Sequence, residues 1–90
     1  MKLVWKPAAT SDRARIMDYI AQDNPAAALA LDEELEAKTG QLPKHAKLYK
    51  PGRIKGTREM IVRPSYVVVY RQDNDTVTIL RVLNTAQQWP

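Results

Sequence analysis

The chain has 90 residues, no cysteine and a net charge of +4. This length predicts a single domain, residues 1–90, that buries roughly 60–65% of the surface exposed by the unfolded chain. The lack of cysteine excludes a disulfide framework and a thiolate metal site, and no stretch approaches the ~20 apolar residues of a transmembrane helix. Because the first apolar run is also too short for a signal peptide, we expect a cytoplasmic protein without a membrane partner.

Charge is unevenly distributed along the chain. Residues 12–38 carry seven acids and three bases, whereas residues 44–58 carry six bases and no acid. Such segregation favours a polyanionic or acidic partner, although a basic loop that is simply solvated gives the same pattern. Charge alone does not separate a nucleic acid from an acidic protein.

The chain opens with a short strand and a helix. Residues 2–5 alternate, with Leu3 and Trp5 on one face, and Pro7 ends the strand. After Pro7 the apolar residues recur at helical spacing, and Asp12 falls on the face that we expect to be turned to water. The apolar face consists of Ala9, Ile16 and Ile20.

A second helix follows at a clear boundary. Asn24 is a favoured N-cap and Pro25 suits the first helical position. The helical pattern runs to about residue 41, and Pro43 is expected to prevent its continuation. Two helices with so short a joint predict an antiparallel helical hairpin.

Residues 43–57 form a long connection that contains most of the basic run. Loops of this length without structure of their own are commonly functional or mobile. His45 is the only histidine in the chain. A lone histidine in a loop is more often a surface residue than a catalyst.

Three strands are predicted over residues 58–63, 66–71 and 76–83. Residues 64–65 and 72–75 are the polar turns that join them. The first five residues of the middle strand are all β-branched or aromatic. This composition is typical of a central strand that is covered on both faces.

The last strand has an unusual arginine. Strict alternation puts Arg81 on the same face as Val77, Ile79 and Leu83, with Thr78, Leu80 and Val82 opposite. A cation in that apolar series makes Arg81 a candidate site residue. Trp89, near the end of the tail, is expected to fold back onto the domain or to contact a partner.

The predicted fold is α+β, in the order β-α-α-β-β-β, with an antiparallel sheet and the helical hairpin packed on one face. The opening strand is expected to pair beside the first strand of the later set. The other sheet face, with the basic loop above it, is then a candidate groove.

In this order and at this length, the sequence resembles the ParE/RelE superfamily of toxins from bacterial type II toxin–antitoxin modules. The resemblance rests on these segments: Trp5, Asn24-Pro25, Pro51-Gly52-Arg53, Gly56-Thr57-Arg58-Glu59, Tyr66-Val67-Val68-Val69-Tyr70-Arg71, Ile79-Leu80-Arg81-Val82-Leu83 and Gln87-Gln88-Trp89-Pro90. It implies a toxin that is neutralised in a hetero-oligomer by a cognate antitoxin, whose C-terminal segment covers the basic surface.

Two activities occur in the superfamily. RelE-like members cut messenger RNA on the ribosome with basic groups and no metal, whereas ParE-like members poison DNA gyrase. Neither activity implies a cofactor. RNA cleavage needs a group that deprotonates the 2′-hydroxyl, cations for the phosphate and a proton donor.

The resemblance implies an arginine after the opening tyrosine of the central strand in the RelE-like branch, where this chain has Val67. It implies lysines on the preceding strand, where Glu59 and Ile61 stand. Many relatives have a histidine after the last strand, but this chain has Asn84, which cannot transfer a proton near neutral pH. These departures favour gyrase inhibition over mRNA cleavage.

The candidates for binding an antitoxin or a target are Arg53, Lys55, Arg58, Arg63, Arg71, Arg81 and Trp89. If the protein is a ribonuclease, the catalytic candidates are Arg53, Lys55, Arg58, Arg63 and Arg81. A third hypothesis is a basic nucleic-acid-binding module that is not toxic. Its stacking aromatics would be few, since the strand tyrosines Tyr66 and Tyr70 equally suit the core.

Overall fold

The computed structural model describes residues 1–89. The elements are β1 (Lys2–Trp5), α1 (Pro7–Ala21), α2 (Pro25–His45), β2 (Arg58–Arg63), β3 (Tyr66–Gln72) and β4 (Thr76–Asn84). This α+β order confirms the prediction. No helix within residues 1–89 combines the length and the apolar character needed to cross a membrane.

The two helices form the predicted hairpin. Pro25 lies in the first turn of α2, and the Asn24 side chain accepts a hydrogen bond of 3.0 Å from the Ala27 N–H. This cap satisfies one of the N–H groups that have no partner inside the helix. The joint therefore begins α2 sharply and lets it return along α1.

The predicted end of α2 is wrong, because the helix continues past Pro43 to His45. A proline inside a helix removes one backbone hydrogen bond. Here the turn that follows is anchored in the core: Ala46 is buried, and its carbonyl accepts a hydrogen bond from the Tyr70 hydroxyl. The connection to β2 consequently begins at residue 46 instead of residue 43.

The sheet has the order β1-β4-β3-β2, with β2, β3 and β4 antiparallel and β1 parallel to β4. The sheet is therefore mixed, and the expectation that β1 pairs beside β2 is wrong. The outer edge of β2 is occupied by its own preceding loop: the Glu59 N–H donates to the Lys50 carbonyl and the Gly52 N–H to the Thr57 carbonyl. Because this edge is already paired, β1 adds to β4.

The sheet is covered on both faces. The face toward the helices carries the larger core, to which β3 contributes Val68 and Tyr70. We call the other side the open face; its smaller cluster consists of Val67, Val69 and Leu83, with Leu80 and Trp89 packed against it. The burial of β3 on both sides confirms its prediction as a central strand.

The alternation predicted for β4 fails at a β-bulge. Val69 pairs with Arg81 while Tyr70 pairs with Ile79, so Leu80 is an extra residue in β4. A bulge of one residue shifts the faces of all that follow. Val82 therefore joins Ile79 in the helix-side core, and Leu83 packs on the open face.

Candidate functional site

A groove of about 450 Å³ lies at the open face, beside the loop that precedes β2. We call it the open-face groove. It is lined by Lys50, Pro51, Gly52, Arg53, Glu59, Ile61, Val67 and Thr85. The groove therefore combines two cations, one carboxylate and an apolar floor.

Glu59 is the carboxylate of this groove, and the loop holds it in place. Its Oε2 accepts a hydrogen bond of 2.9 Å from the Arg53 N–H and lies 3.4 Å from the Arg53 guanidinium Nε. Only 10% of the Glu59 side chain is exposed. The carboxylate is thus an oriented acceptor that neutralises the neighbouring cation.

Gly52 allows the loop to approach this carboxylate. A Cβ atom at position 52 would lie 2.4 Å from the Thr57 Oγ1 and 3.2 Å from Glu59. The Thr57 hydroxyl donates to the Ile54 carbonyl and cannot move away freely. The geometry of the groove therefore depends on a residue without a side chain at this position.

The C-terminal tail covers the apolar part of the open face. The Thr85 N–H donates to the Ser65 carbonyl at 2.8 Å, and the Thr85 hydroxyl donates to the Pro64 carbonyl at 2.9 Å. Trp89 then packs on the open-face cluster. Its indole Nε1 is buried and has no hydrogen-bond partner within residues 1–89. Of the two outcomes predicted for Trp89, the described chain shows the folded-back one.

Arg81 is held by a carboxylate on α1. Its Nε and Nη2 donate to the two oxygens of Asp12 at 2.6 and 2.9 Å, and its Cζ lies 5.3 Å from the Trp89 ring centroid. The hydrogen bond with Asp12 raises the pKa of the Arg81 guanidinium. Asp12 is 4% exposed, so the expectation that it faces water is wrong. Arg81 links α1 to the tail and does not line the open-face groove.

Two further candidate arginines bind elsewhere. The Arg63 Nε donates to Glu34 on α2 at 2.7 Å, and this hydrogen bond lowers the pKa of the Glu34 carboxyl. The Arg58 Nη1 donates to the Tyr49 carbonyl at 2.5 Å. Neither residue is in the lining of the open-face groove.

Lys55 and Arg71 are exposed, and neither forms a hydrogen bond or an ion pair with its side chain among residues 1–89. Arg71 alternates with Val67 and Val69 along β3 and so lies on the open face. Of the seven predicted binding residues, Arg53 lines the groove, and Arg71, Arg81 and Trp89 share its face. Lys50 and Thr85 also line the groove but are not among the predicted binding residues; the basic run in the sequence points to Lys50 alone.

The strand tyrosines belong to the core. Burial raises the pKa of Tyr70 to about 12, and its hydroxyl donates to the Ala46 carbonyl. The Tyr49 ring packs edge-on against Tyr70, with a centroid distance of 6.4 Å. Tyr66 packs against the same helix-side core. None of these three rings lines the open-face groove.

Comparison with known families gives a match over almost the whole chain. Residues 3–89 match the family described as ParE toxin of type II toxin–antitoxin system, parDE. The chain belongs to this ParE toxin family. The resemblance that the sequence segments carry is thereby confirmed at the level of a type II toxin of the ParE/RelE superfamily.

Two relatives extend along the same length as this ParE family chain. A putative toxin, Y4kP, from Sinorhizobium fredii is 33% identical over 90 residues, which are 99% of this chain and 93% of the relative. The toxin RelE2 from Caulobacter vibrioides is 31% identical over 88 residues, or 96% of this chain and 97% of the relative. The names of both relatives are those of toxins.

Solved structures share the fold. A chain from a chromosomal ParDE toxin–antitoxin system of P. aeruginosa superposes with a TM-score of 0.84 at 23% identity, covering 93% of this chain and 95% of the other. A chain from the E. coli DinJ–YafQ toxin–antitoxin complex gives a TM-score of 0.66 at 16% identity, covering 94% and 92%. At these identities the likeness concerns the fold alone.

The RelE-like branch implies basic or proton-transferring residues at certain positions of this family fold. At those positions this chain has residues of other types. Val67 is 2% exposed in the apolar cluster of the open face. Ile61 is exposed, and the neighbouring Glu59 is engaged by Arg53. Asn84 uses its side-chain oxygen to accept a hydrogen bond of 2.9 Å from the Ala86 N–H.

Proposed function

We propose that this ParE family toxin arrests growth by inhibiting DNA gyrase and is neutralised by a cognate antitoxin. The observation that carries the proposal is the apolar open face. Val67, Val69 and Leu83 lie beneath Trp89 where a ribonuclease of this fold would expose cations to RNA. A buried apolar cluster at this place supplies neither a cation nor a proton-transferring group for a phosphodiester, which favours action by association with a protein target.

The distribution of the cations supports binding over catalysis. Cleavage of RNA requires cations that converge on one phosphate, together with a proton acceptor and a proton donor. Arg81 is engaged by Asp12 and Arg63 by Glu34, and both ion pairs lie outside the open-face groove. The toxin would then inhibit gyrase by binding to it, without catalysing a reaction of its own.

The gyrase proposal is tested with purified components. Gyrase, relaxed plasmid and ATP are incubated with increasing amounts of the toxin, and supercoiling and DNA cleavage are read on gels. We expect loss of supercoiling with accumulation of cleaved DNA. Unchanged supercoiling at an excess of folded toxin, together with degradation of a message on purified ribosomes, would contradict the proposal.

A second candidate function is ribosome-dependent, metal-independent cleavage of mRNA. It is favoured by the meeting of Lys50, Arg53 and Glu59 in the open-face groove. Here Glu59 would accept the 2′-hydroxyl proton, the two cations would stabilise the phosphate, and Lys50 or a water molecule would protonate the leaving 5′-oxygen. Under this hypothesis Glu59→Gln abolishes cleavage of a message on purified ribosomes. Gyrase inhibition is expected to survive the same substitution.

The antitoxin is proposed to bind both the part of the basic loop around Lys50 and Arg53 and an apolar depression between the helices. That depression measures about 580 Å³ and includes Met17, Ala28 and the 60% exposed Leu29. An amphipathic segment with acidic residues would match both surfaces. Its association rate should fall as salt is raised to physiological levels; an unchanged rate would exclude the electrostatic part.

Toxicity itself is tested by expression in cells. The chain is induced alone and together with the small open reading frame next to its gene, and growth is followed. Arrest by the chain alone and rescue by the neighbour are expected for a toxin–antitoxin pair. Normal growth with soluble, folded chain would favour the non-toxic nucleic-acid-binding hypothesis.

A further inference from the structure

Three surface depressions meet at Gln72, the last residue of β3. One also contains Lys44, His45 and Lys47, a second contains Arg58, and the third contains Lys47 again. We call this region the Gln72 basin and define it by these five residues. It lies where the C-terminal end of α2 and the β3–β4 turn come together, and none of its residues lines the open-face groove.

The lysines of the basin differ from the arginines that carboxylates of the helices engage. Elsewhere, carboxylates of α1 and α2 engage the arginines; these pairs are Arg13–Asp32, Arg13–Glu36, Arg63–Glu34 and Arg81–Asp12. Lys44 and Lys47 are exposed and have no ion pair among residues 1–89. The internal pairing therefore leaves unneutralised positive charge at this end of the molecule.

The centre of the basin is polar, and its polar groups have hydrogen-bonding capacity that the rest of the described chain does not use. The Gln72 side chain is half-buried, and its amide forms no hydrogen bond within the described chain. Arg58 donates one N–H to the Tyr49 carbonyl and retains further donors. Among the residues that the structure describes, Asp73 is the one acid in the lining of the three depressions. The basin thus presents several hydrogen-bond donors in a positive field.

We propose that the Gln72 basin binds the phosphate backbone of duplex DNA. The inference rests on the proposed action on gyrase, whose substrate is duplex DNA, and it assigns the toxin a contact with that DNA. Lysines bind phosphate as point charges, without the planar geometry that selects a particular group. Binding is therefore independent of base sequence and falls steeply with salt.

The absence of a stacking surface favours a duplex over a single strand. Proteins hold single strands by stacking bases on aromatic side chains. Tyr49, the aromatic residue nearest in sequence to the basin lysines, packs edge-on against the buried Tyr70 ring. Within residues 1–89, no aromatic residue lines any of the three depressions. Without a stacking ring, the phosphates are the part of a nucleic acid that the lysines of this surface can bind.

An acidic protein segment fits the basin less well. Protein partners gain most of their affinity from side chains that fill apolar pockets at the centre of an interface. Leu48 is the large apolar residue of the region and is 72% exposed, so it projects from the surface and builds no pocket. This geometry leaves charge as the main source of affinity.

The test measures binding of the full-length toxin to a short fluorescent duplex by anisotropy. The basin variant K44Q/K47Q is compared with the control K6Q/R15Q, which removes the same charge away from the basin. Between about 50 and 200 mM salt, we expect the basin variant to bind at least tenfold more weakly and its salt slope to fall by ~1.8. The control should retain most of the affinity and slope. Equal losses in both variants would show only a net-charge effect and overturn the proposal.

A second comparison uses a single charge at the centre of the basin. Gln72→Glu is expected to weaken duplex binding several-fold more than Gln22→Glu, which places the same charge on the exposed end of α1. Equal effects would contradict the assignment. The proposal also fails if single-stranded RNA of the same length binds more tightly, or if poly-glutamate displaces the duplex at equal charge. Circular dichroism confirms that each variant is folded.

The gyrase assay separates this inference from the proposed function. If wild-type toxin binds the duplex through the basin but leaves gyrase active, the proposed function is wrong and the DNA site stands. If the wild-type toxin and K44Q/K47Q inhibit gyrase equally well at physiological salt, the proposed contact with gyrase-bound DNA is wrong. Weaker inhibition by K44Q/K47Q alone supports both.

Discussion

Asp12 of α1 completes the edge of β4 at Arg81. The pairing of β1 with β4 ends at Trp5 and Ile79. Beyond that point the Val82 N–H donates to Asp12 at 3.0 Å, and the same carboxylate binds the Arg81 guanidinium in a bidentate fashion. A side chain thus replaces the missing strand partner, and a buried donor is satisfied where the sheet would otherwise have an open edge.

Removal of this carboxylate should be strongly destabilising. In Asp12→Ala the Arg81 cation and the Val82 N–H both lose their acceptor, and we expect a loss of about 3 kcal/mol in the free energy of unfolding. Urea denaturation measures it. Arg15 also lies near Asp12, at 3.7 Å, but its side chain is 74% exposed. Arg15→Gln should therefore cost less than ~0.5 kcal/mol.

A double-mutant cycle that combines Asp12→Ala with Arg81→Met tests whether the two side chains stabilise the protein through their mutual interaction or independently of each other. The double variant should be less destabilised than the sum of the two single variants, because neither charge is then left buried alone. Simple additivity of the two losses would contradict the coupling.

The sequence predicted the elements well because their signals are local. Asn24 and Pro25 mark a helix start within two residues, and the β-branched run of β3 indicates burial without reference to any partner. The errors have causes that are distant in the sequence. In the sequence, Asp12 is an ordinary polar residue of a helix. Arg81 and Val82 reach it because the pairing of β1 with β4 ends at Ile79 and because the bulge at Leu80 changes the direction of the residues that follow.

The site was predictable only in part for the same reason. The basic run predicts Arg53 as a site residue, and the structure brings it to Glu59. Thr85 has no distinguishing composition; it reaches the groove because the Pro64–Ser65 turn holds it. The pairing of Arg81 with a helix carboxylate could not be found from spacing, since 69 positions separate the two residues.

Two glycines should respond oppositely to alanine. Gly40 is exposed within α2, and a Cβ there meets nothing within 4 Å, so Gly40→Ala should stabilise the protein by about 1 kcal/mol through helix propensity. At Gly52 the added methyl group would collide with the Thr57 hydroxyl. Gly52→Ala should cost ~1–3 kcal/mol by overpacking. Urea denaturation measures both changes, and a neutral Gly52→Ala would show that the loop can withdraw from Glu59.

Alkaline pH should destabilise the protein through Tyr70. Its pKa is about 12 in the folded chain and near 10 when unfolded, so the phenol's contribution is complete below pH 10 and is lost as pH rises toward 12. This loss approaches ~2–3 kcal/mol. Tyr70→Phe removes it but should cost about 1 kcal/mol at neutral pH, since the Ala46 carbonyl loses its donor.

The measurement for Tyr70 is urea unfolding of wild type and Tyr70→Phe between neutral pH and pH 11. At neutral pH the wild type should have the higher free energy of unfolding, and this difference from the variant should disappear above pH 10. The other titrating groups are common to both proteins and cancel in the difference. Tyr19 is 72% exposed, so Tyr19→Phe, which removes a phenol from the surface and not from the core, is the matched control. A constant difference across the range would exclude Tyr70 as the titrating group.

The last prediction concerns the contact of Trp89 with the open face. Trp89→Ala removes the cover from Val67, Val69 and Leu83 and the ring from Arg81. For a half-buried tryptophan we expect a loss of about 2 kcal/mol, and a hydrophobic dye should bind the uncovered cluster. Trp89→Leu should keep most of the cover while it loses the cation–π contact, worth ~0.5–1 kcal/mol. Gln88→Ala, at an exposed neighbour, is the control. If Trp89→Ala matched that control in both stability and dye binding, the tail would not be packed on the open face in solution.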